Sequence, residues 1–280
     1  MLSQAQIDAY HRDGFSFPHA ALSPADLEEC RTGLARYEGW LGGPVNHMPE
    51  RWRSGTYCFL PWVDKLIRHP RILDVVEDIL GPDIRAFTTT FFIKDADSPT
   101  FALWHQDSPY FGIRPHEHVT CWVALTDATE EAGCMEVVPE RGAARQLHHE
   151  ASGLKNNINA IGQMITDEFD QSETVMMEVP AGSFSLHHTL CLHRSGPNRT
   201  NYRRIGIGTS YIPAHCRTIS SVRMRVPLVR GKNTGGHFDI LPQPEGEFSP
   251  DALKRHEEVF ALYRANFEEN RASHEHALAE

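Results

Sequence analysis

The sequence predicts a β-rich α+β fold, an antiparallel sandwich or jelly roll flanked by helices at both ends of the chain. Three observations predict it. Six segments between residues 84 and 213 are dense in β-branched and aromatic residues and are bounded by Gly, Pro and Asp. Helical patterns between them are few, and strands in series without crossover helices favour antiparallel pairing over a parallel βαβ sheet. The 280 residues hold no internal repeat and no linker. One domain is therefore expected: a mainly helical flank over 1–83, a β core over 84–213, and an extension with a helix over 214–280.

Each element has its own signal. Ser3 and Gln6 form an S-x-x-Q capping box ahead of IDAYHRDG, and Gly14 ends that helix. Ser23 caps a second helix that Pro24 opens, with Leu27, Leu34 and Leu41 at heptad spacing. Residues 42–62 are rich in Gly, Pro and aromatics and read as loop. HPRILDVVEDILGP predicts a short amphipathic helix closed by Gly81-Pro82. The strands are then IRAFTTTFFIK, HVTCWVALTDA, CMEVVP, TVMMEVP, SFSLHHTLCLH and RRIGIGTSYIP, with a further helix signal only over 154–165. Ser249 and Pro250 open a C-terminal amphipathic helix, DALKRHEEVFALYRANFEENR.

Composition narrows the function. A net charge of −10 with no basic run excludes a nucleic-acid footprint, which needs a Lys/Arg stripe. No run is long and apolar enough to span a membrane, and MLSQAQIDAYHRDG lacks the apolar segment of a secretory signal. A cytoplasmic protein with a small-molecule partner, monomer or homodimer, is the expectation. The six cysteines are scattered with no C-x-x-C pair and read as reduced core thiols. Seventeen histidines raise the expectation of a metal site without locating it.

The stretch FALWHQDSPYF narrows the location. On an extended strand, residues two apart share a face, so His105 and Asp107 would aim an imidazole and a carboxylate at one point. A second histidine should come from a later strand, and SLHHTLCLHRSGPNRTNYRRIGIGTSYIP offers His187, His188 and His193. His193 stands at a strand end before the turn-forming Ser195-Gly196-Pro197-Asn198, and Arg204 follows eleven residues later. One of His187 and His188 could stand behind the ligands, although a core or surface role is the plainer reading. The H-E-H at 116–118 reads as a solvated loop. Singly, each motif is weak; H-x-D alone marks a metal in about one case in ten.

Together, in this order, the motifs resemble those of the phytanoyl-CoA dioxygenase family. IDAYHRDGF is similar to the start of that family's sequences, WHQDSPYFG and HVTCWVALTDATEEAGCMEVVP to its central block, and AGSFSLHHTLCLHRSGPNRTNYRRIGIGTSYIP to its distal block. One departure is Pro139-Glu140-Arg141-Gly142, where the family often carries P-G-S-H. The resemblance implies a double-stranded β-helix (a cupin-like jelly roll) and an enzyme using Fe(II), 2-oxoglutarate and O2. It implies that His105, Asp107 and His193 bind iron and that Arg204 and Ser195 hold the distal carboxylate of 2-oxoglutarate. It further implies that Trp122 lies beside the co-substrate and that Thr88 or Thr90 hydrogen-bonds it.

The expected reaction is hydroxylation of a C–H bond, because Asp107 fills the position that a halogenase leaves open for halide. A non-catalytic jelly-roll binding protein or sensor, a zinc hydrolase and an acyl-CoA hydroxylase are the alternatives. Candidate substrate contacts are His47, Arg51, Arg53, Tyr57, Tyr110, Phe111, Asn156, Asn157, Asn159, Gln163, Arg223 and Arg225. Their arginines and amides suggest a small polar or anionic molecule, such as a natural-product intermediate, an amino acid or a phosphonate.

Overall fold

The computed structural model describes residues 1–142, 144–159 and 162–279, the last eight of these as backbone only. Ten strands build two sheets: β1 (Phe15–Ala20), β2 (Ile84–Lys94), β3 (Ala102–His105), β4 (Val119–Ala124), β5 (Met135–Val138), β6 (Val175–Met177), β7 (Ser183–His188), β8 (Leu192–Ser195), β9 (Arg204–Pro213) and β10 (Leu228–Arg230). The larger sheet runs β1-β7-β4-β9-β2-β10 and the smaller β3-β8-β5-β6. Every pairing within both is antiparallel. A cavity opens between them, lined from the larger sheet by Thr90 and Trp122 and from the smaller by Ala102, Met135 and His193. This is the expected jelly roll.

The strand β9 is the spine. It pairs along its length with β2 on one side and β4 on the other, and nearly all of it is buried. Its Gly206 and Gly208 have a packing reason: a Cβ at Gly206 would collide with the Trp122 indole, which lies flat against the strand. The outer face of the larger sheet is covered by α1 (Gln4–Asp13), α2 (Pro24–Leu41), α3 (Pro61–Ile67) and α4 (Pro70–Leu80). Tyr37, Leu60, Ile67 and Val76 of this layer share one core with Ile84, Phe91, Ile207 and Tyr211 of the sheet. Each such side chain contributes roughly 1.5–3 kcal/mol by leaving water.

Local signals and structure agree at the helix ends. Both Ser3–Gln6 and Ser23–Asp26 are capping boxes, and Gly14 ends α1 at φ 84°. Ser249 accepts from the Ala252 amide at 3.3 Å and starts α6 (Pro250–Ala279), longer than the sequence pattern suggested. Three expectations are corrected. The loop at 42–62 ends in α3, because Pro61 is an N-terminal helix residue rather than a breaker. SFSLHHTLCLH is two strands, β7 and β8, in different sheets, because the chain turns at Thr189–Cys191. Over 154–165 the described residues form turns and a strand, Gln163–Ile165, paired with His149–Ala151, instead of a helix; Ala160 and Ile161 lie outside the described residues. The structure adds the edge strand β1, whose FSFPHA alternates only as far as Pro18. Among the described residues no helix is long and apolar enough to cross a membrane.

Candidate active site

His105 is the last residue of β3, and the strand stops there. Asp107 already has helical angles (φ −75°, ψ −30°) and begins α5 (Ser108–Phe111). The two side chains therefore converge through a strand end and a helical turn, which corrects the picture of one extended strand. Gln106 explains the break. Its amide nitrogen donates to Leu190 O at 2.6 Å and Arg145 O at 2.8 Å, and its oxygen accepts from the Leu147 amide at 2.7 Å. Those bonds pull it away from its neighbours. His193, on β8, stands directly opposite His105 in register, with ring centroids 4.0 Å apart.

Each of the three side chains has one donor atom tied and one free. His105 Nδ1 donates to Leu103 O at 2.8 Å and His193 Nδ1 to Cys191 O at 2.9 Å, leaving both Nε2 lone pairs available. Asp107 Oδ2 accepts from the Thr120 hydroxyl at 2.6 Å and from His187 Nε2 at 3.2 Å, leaving Oδ1 3.9 Å from His193 Nε2. One ligand atom from each residue lies within 4.8 Å of the other two. Burial, and then His105 and His187, hold the His193 imidazole well below its ordinary pKa; burial lowers His105 as well. Burial alone would raise Asp107, but the hydrogen bond from His187 and the nearby histidines outweigh it and keep the carboxyl well below the usual range. Two neutral imidazoles and one carboxylate on one side of a point fit Fe(II), with the remaining positions open to oxygen ligands.

Across the cavity stands Arg204, the first residue of β9. Its Nη1 donates to Gly133 O at 2.7 Å, and the guanidinium lies 5.2 Å from the Trp122 ring centroid. Burial pushes it down to about 10, so it stays charged at neutral pH. Its Nε is buried without a partner, and no acid pairs with it among the described residues. Ser195, Trp122 and Thr90 line the same cavity; Thr88 does not, being buried further along β2.

The profile of the family described as phytanoyl-CoA dioxygenase (PhyH) matches residues 10–206. The chain belongs to that family. It is 28% identical over 152 residues to the probable alpha-ketoglutarate-dependent hypophosphite dioxygenase of Stutzerimonas stutzeri, covering 54% of this chain and 53% of that one. To the peroxisomal phytanoyl-CoA dioxygenase of Homo sapiens it is 29% identical over 154 residues, 54% of this chain and 46% of the other. The chain thus spans about half the length of these curated relatives. The solved structure of the non-heme monooxygenase ThoJ, in its apo form, superposes with a TM-score of 0.83 at 27% identity, covering 96% of this chain and 99% of that one.

Membership in the family directs attention to the rest of the cavity, whose volume is 380 Å³. Of the candidate substrate contacts, His47, Arg53, Tyr110, Phe111 and Asn159 line it. The others are engaged elsewhere. Arg51 stacks on Trp52, Tyr57 is core, and Arg223 and Arg225 pair with Asp239 and Glu258. Asn156 accepts the Phe101 amide, Asn157 supports the backbone at Leu103 and Asn159, and Gln163 belongs to a short hairpin. The structure adds Asn46, Glu50, Phe92 and, from α6, Tyr263. The expected solvated H-E-H is also corrected. His118 is fully buried and bonded to Thr120 at 3.1 Å, and burial drives it down to about 3. Thr120 and Lys94 join the site without having been singled out in the sequence, where only the out-of-pattern lysine closing FFIK is a signal.

Proposed function

We propose that this protein is an Fe(II)- and 2-oxoglutarate-dependent oxygenase that hydroxylates a C–H bond of a small polar molecule. One observation carries the reading: a carboxylate–imidazole triad and an arginine that has no acidic partner among the described residues face each other across a single cavity. When bound, Fe(II) with 2-oxoglutarate and O2 supplies the oxidising power to convert R–H to R–OH, with succinate and CO2 as the other products. His105, Asp107 and His193 would hold the iron. Arg204 and Ser195 would receive the distal carboxylate, since a planar guanidinium matches it with two parallel bonds. Trp122 forms a dry wall beside Arg204 and strengthens that pair by excluding water. Thr120 and His187 fix the Asp107 rotamer so that one oxygen faces the metal. A carboxylate at that position leaves no place for halide, which favours hydroxylation over halogenation.

The cavity size supports a small substrate. At 380 Å³ it sits at the low end for ligand pockets, and 2-oxoglutarate would take part of it. A whole acyl-CoA would have to lie mostly outside. Arg53, with Nε buried and unpartnered, and Asn159 favour a polar or anionic group on the substrate. The test is a panel of amino acids, small phosphonates and phosphinates, natural-product intermediates and acyl-CoA thioesters. Succinate is read above the background without substrate. A small polar compound that raises succinate and gains one oxygen supports the assignment. Stimulation by acyl-CoA alone would replace the substrate class, and 2-oxoglutarate binding without any succinate would identify a binding protein.

A further inference from the structure

Lys94 ends β2 directly opposite Arg204 in register and is wholly buried. Its Nζ donates to Ser195 Oγ at 2.8 Å, to Gly133 O at 3.4 Å and to the Gly196 carbonyl. The charged or titratable groups that face it are Arg204 on β9 and Cys134 in the loop before β5; no acid pairs with it among the described residues. A lysine buried beside an arginine without an acid opposes folding, whether it holds its charge or sheds its proton. Replacing Lys94 with an apolar residue of similar length would remove that cost, so a lysine here points to a task outside stability.

We propose that Lys94 is a positioning residue of the 2-oxoglutarate anchor: by donating to Ser195 Oγ it turns the serine hydroxyl hydrogen toward the cavity, and its charge joins that of Arg204 opposite the distal carboxylate. This rests on the reading that Arg204 and Ser195 receive that carboxylate. The hydroxyl oxygen already accepts from the ammonium, and Ser195 has no second side-chain bond among the described contacts, while it lines the cavity. A hydroxyl in that state is a donor aimed at an incoming anion. Lys94 and Arg204 also share the Gly133 carbonyl. Gly133, at φ +70°, touches the Gly196 backbone so closely that a Cβ would collide with the Gly196 carbonyl. The lysine thus meets both loops beside the anchor, and these contacts fix where its Nζ stands.

Proton linkage follows. Burial, and then Arg204, push the Lys94 ammonium down to about 6. A carboxylate arriving beside it favours the charged form, so near neutral pH the binding of 2-oxoglutarate draws in a proton.

The experiment is titration calorimetry of 2-oxoglutarate into the Mn(II)-loaded full chain at pH 7.5, in buffers of different ionisation enthalpy, with melting temperatures alongside. Lys94→Met is expected to weaken 2-oxoglutarate at least about tenfold, the loss of one charge-assisted bond, without lowering the melting temperature. Ser195→Ala added to Lys94→Met should cost less than about twofold more, although it costs several-fold alone, because the two residues act as one unit. Wild type should take up protons on binding, and Lys94→Met measurably fewer. Unchanged affinity in Lys94→Met, or independent losses in the double variant, overturns the inference. Should Lys94→Met not fold, unchanged 2-oxoglutarate affinity in Ser195→Ala overturns it. Arg204→Met separates the two levels: if it weakens binding while Lys94→Met does not, only the lysine assignment falls; if neither does, the anchor reading falls.

Discussion

The two walls of the cavity are built on opposite electrostatic plans. On the metal side, every donor has a second atom tied by a partner within the protein: Leu103 O, Cys191 O, or the Thr120 hydroxyl and His187. The imidazoles are held neutral and the carboxylate ionised, so this wall is a preformed seat for a cation. On the anchor side, Arg204 and Lys94 lie together with no acid beside them among the described residues, and both lean on one backbone carbonyl. That wall is a preformed seat for an anion. The metal wall sits on strand ends and a turn, while Arg204 and Lys94 sit on paired strands of the larger sheet and Ser195 shares β8 with His193. The difference teaches that the fold spends stability unequally: on the metal side the ligand side chains are held before any ligand arrives, whereas the charge of Arg204 is answered only afterwards.

Four predictions can break or sharpen that comparison. His105→Ala and His193→Ala should each lower Fe(II) affinity by more than about 100-fold, beyond the effect expected from losing a supporting contact; anaerobic titration calorimetry measures it. Undiminished affinity in both would remove the triad from the account. Arg204→Lys should raise the apparent KM for 2-oxoglutarate by about 50-fold, because an ammonium cannot reproduce the planar fork. An unchanged KM would move the carboxylate to another residue.

The third prediction concerns acid. His118 has a folded-state pKa of about 3, below the ordinary unfolded value near 6.5. A histidine depressed in this way contributes its full stability above the unfolded value and loses it as pH falls toward the folded one. By pH 5 this one group should cost about 2 kcal/mol, and His118→Gln should flatten that part of the profile. Urea unfolding at pH 7 and pH 5 decides; parallel losses in both proteins would show that His118 is not the cause. The smallest effect belongs to Thr120→Val, which removes one donor from Asp107 Oδ2. Fe(II) affinity should fall about tenfold while 2-oxoglutarate affinity for the loaded protein changes little.

Much of this was legible in sequence, for identifiable reasons. Strands such as IRAFTTTFFIK carry their own boundaries, and β2 spans Ile84–Lys94 as read. The residues expected to gather, His105, Asp107, His193, Arg204, Ser195, Trp122 and Thr90, do line one cavity. What stayed hidden depends on partners distant along the chain. Gln106 breaks the H-x-D strand through bonds to Arg145, Leu147 and Leu190. His118 is buried and Thr120 faces Asp107 because of how β4 sits in its sheet. Arg223 and Arg225 left the substrate list because Asp239 and Glu258 reach them. Local pattern names an element; pairing across the fold decides which face meets the site.

The most direct test of the central claim is the fate of C1-labelled 2-oxoglutarate with Fe(II) and O2. Wild type should release labelled CO2, matched one for one by succinate and accelerated by its substrate. His193→Ala should release none, and Arg204→Lys should do so only at much higher 2-oxoglutarate. Wild-type protein that binds both Fe(II) and 2-oxoglutarate yet releases no label across the whole substrate panel would contradict the account.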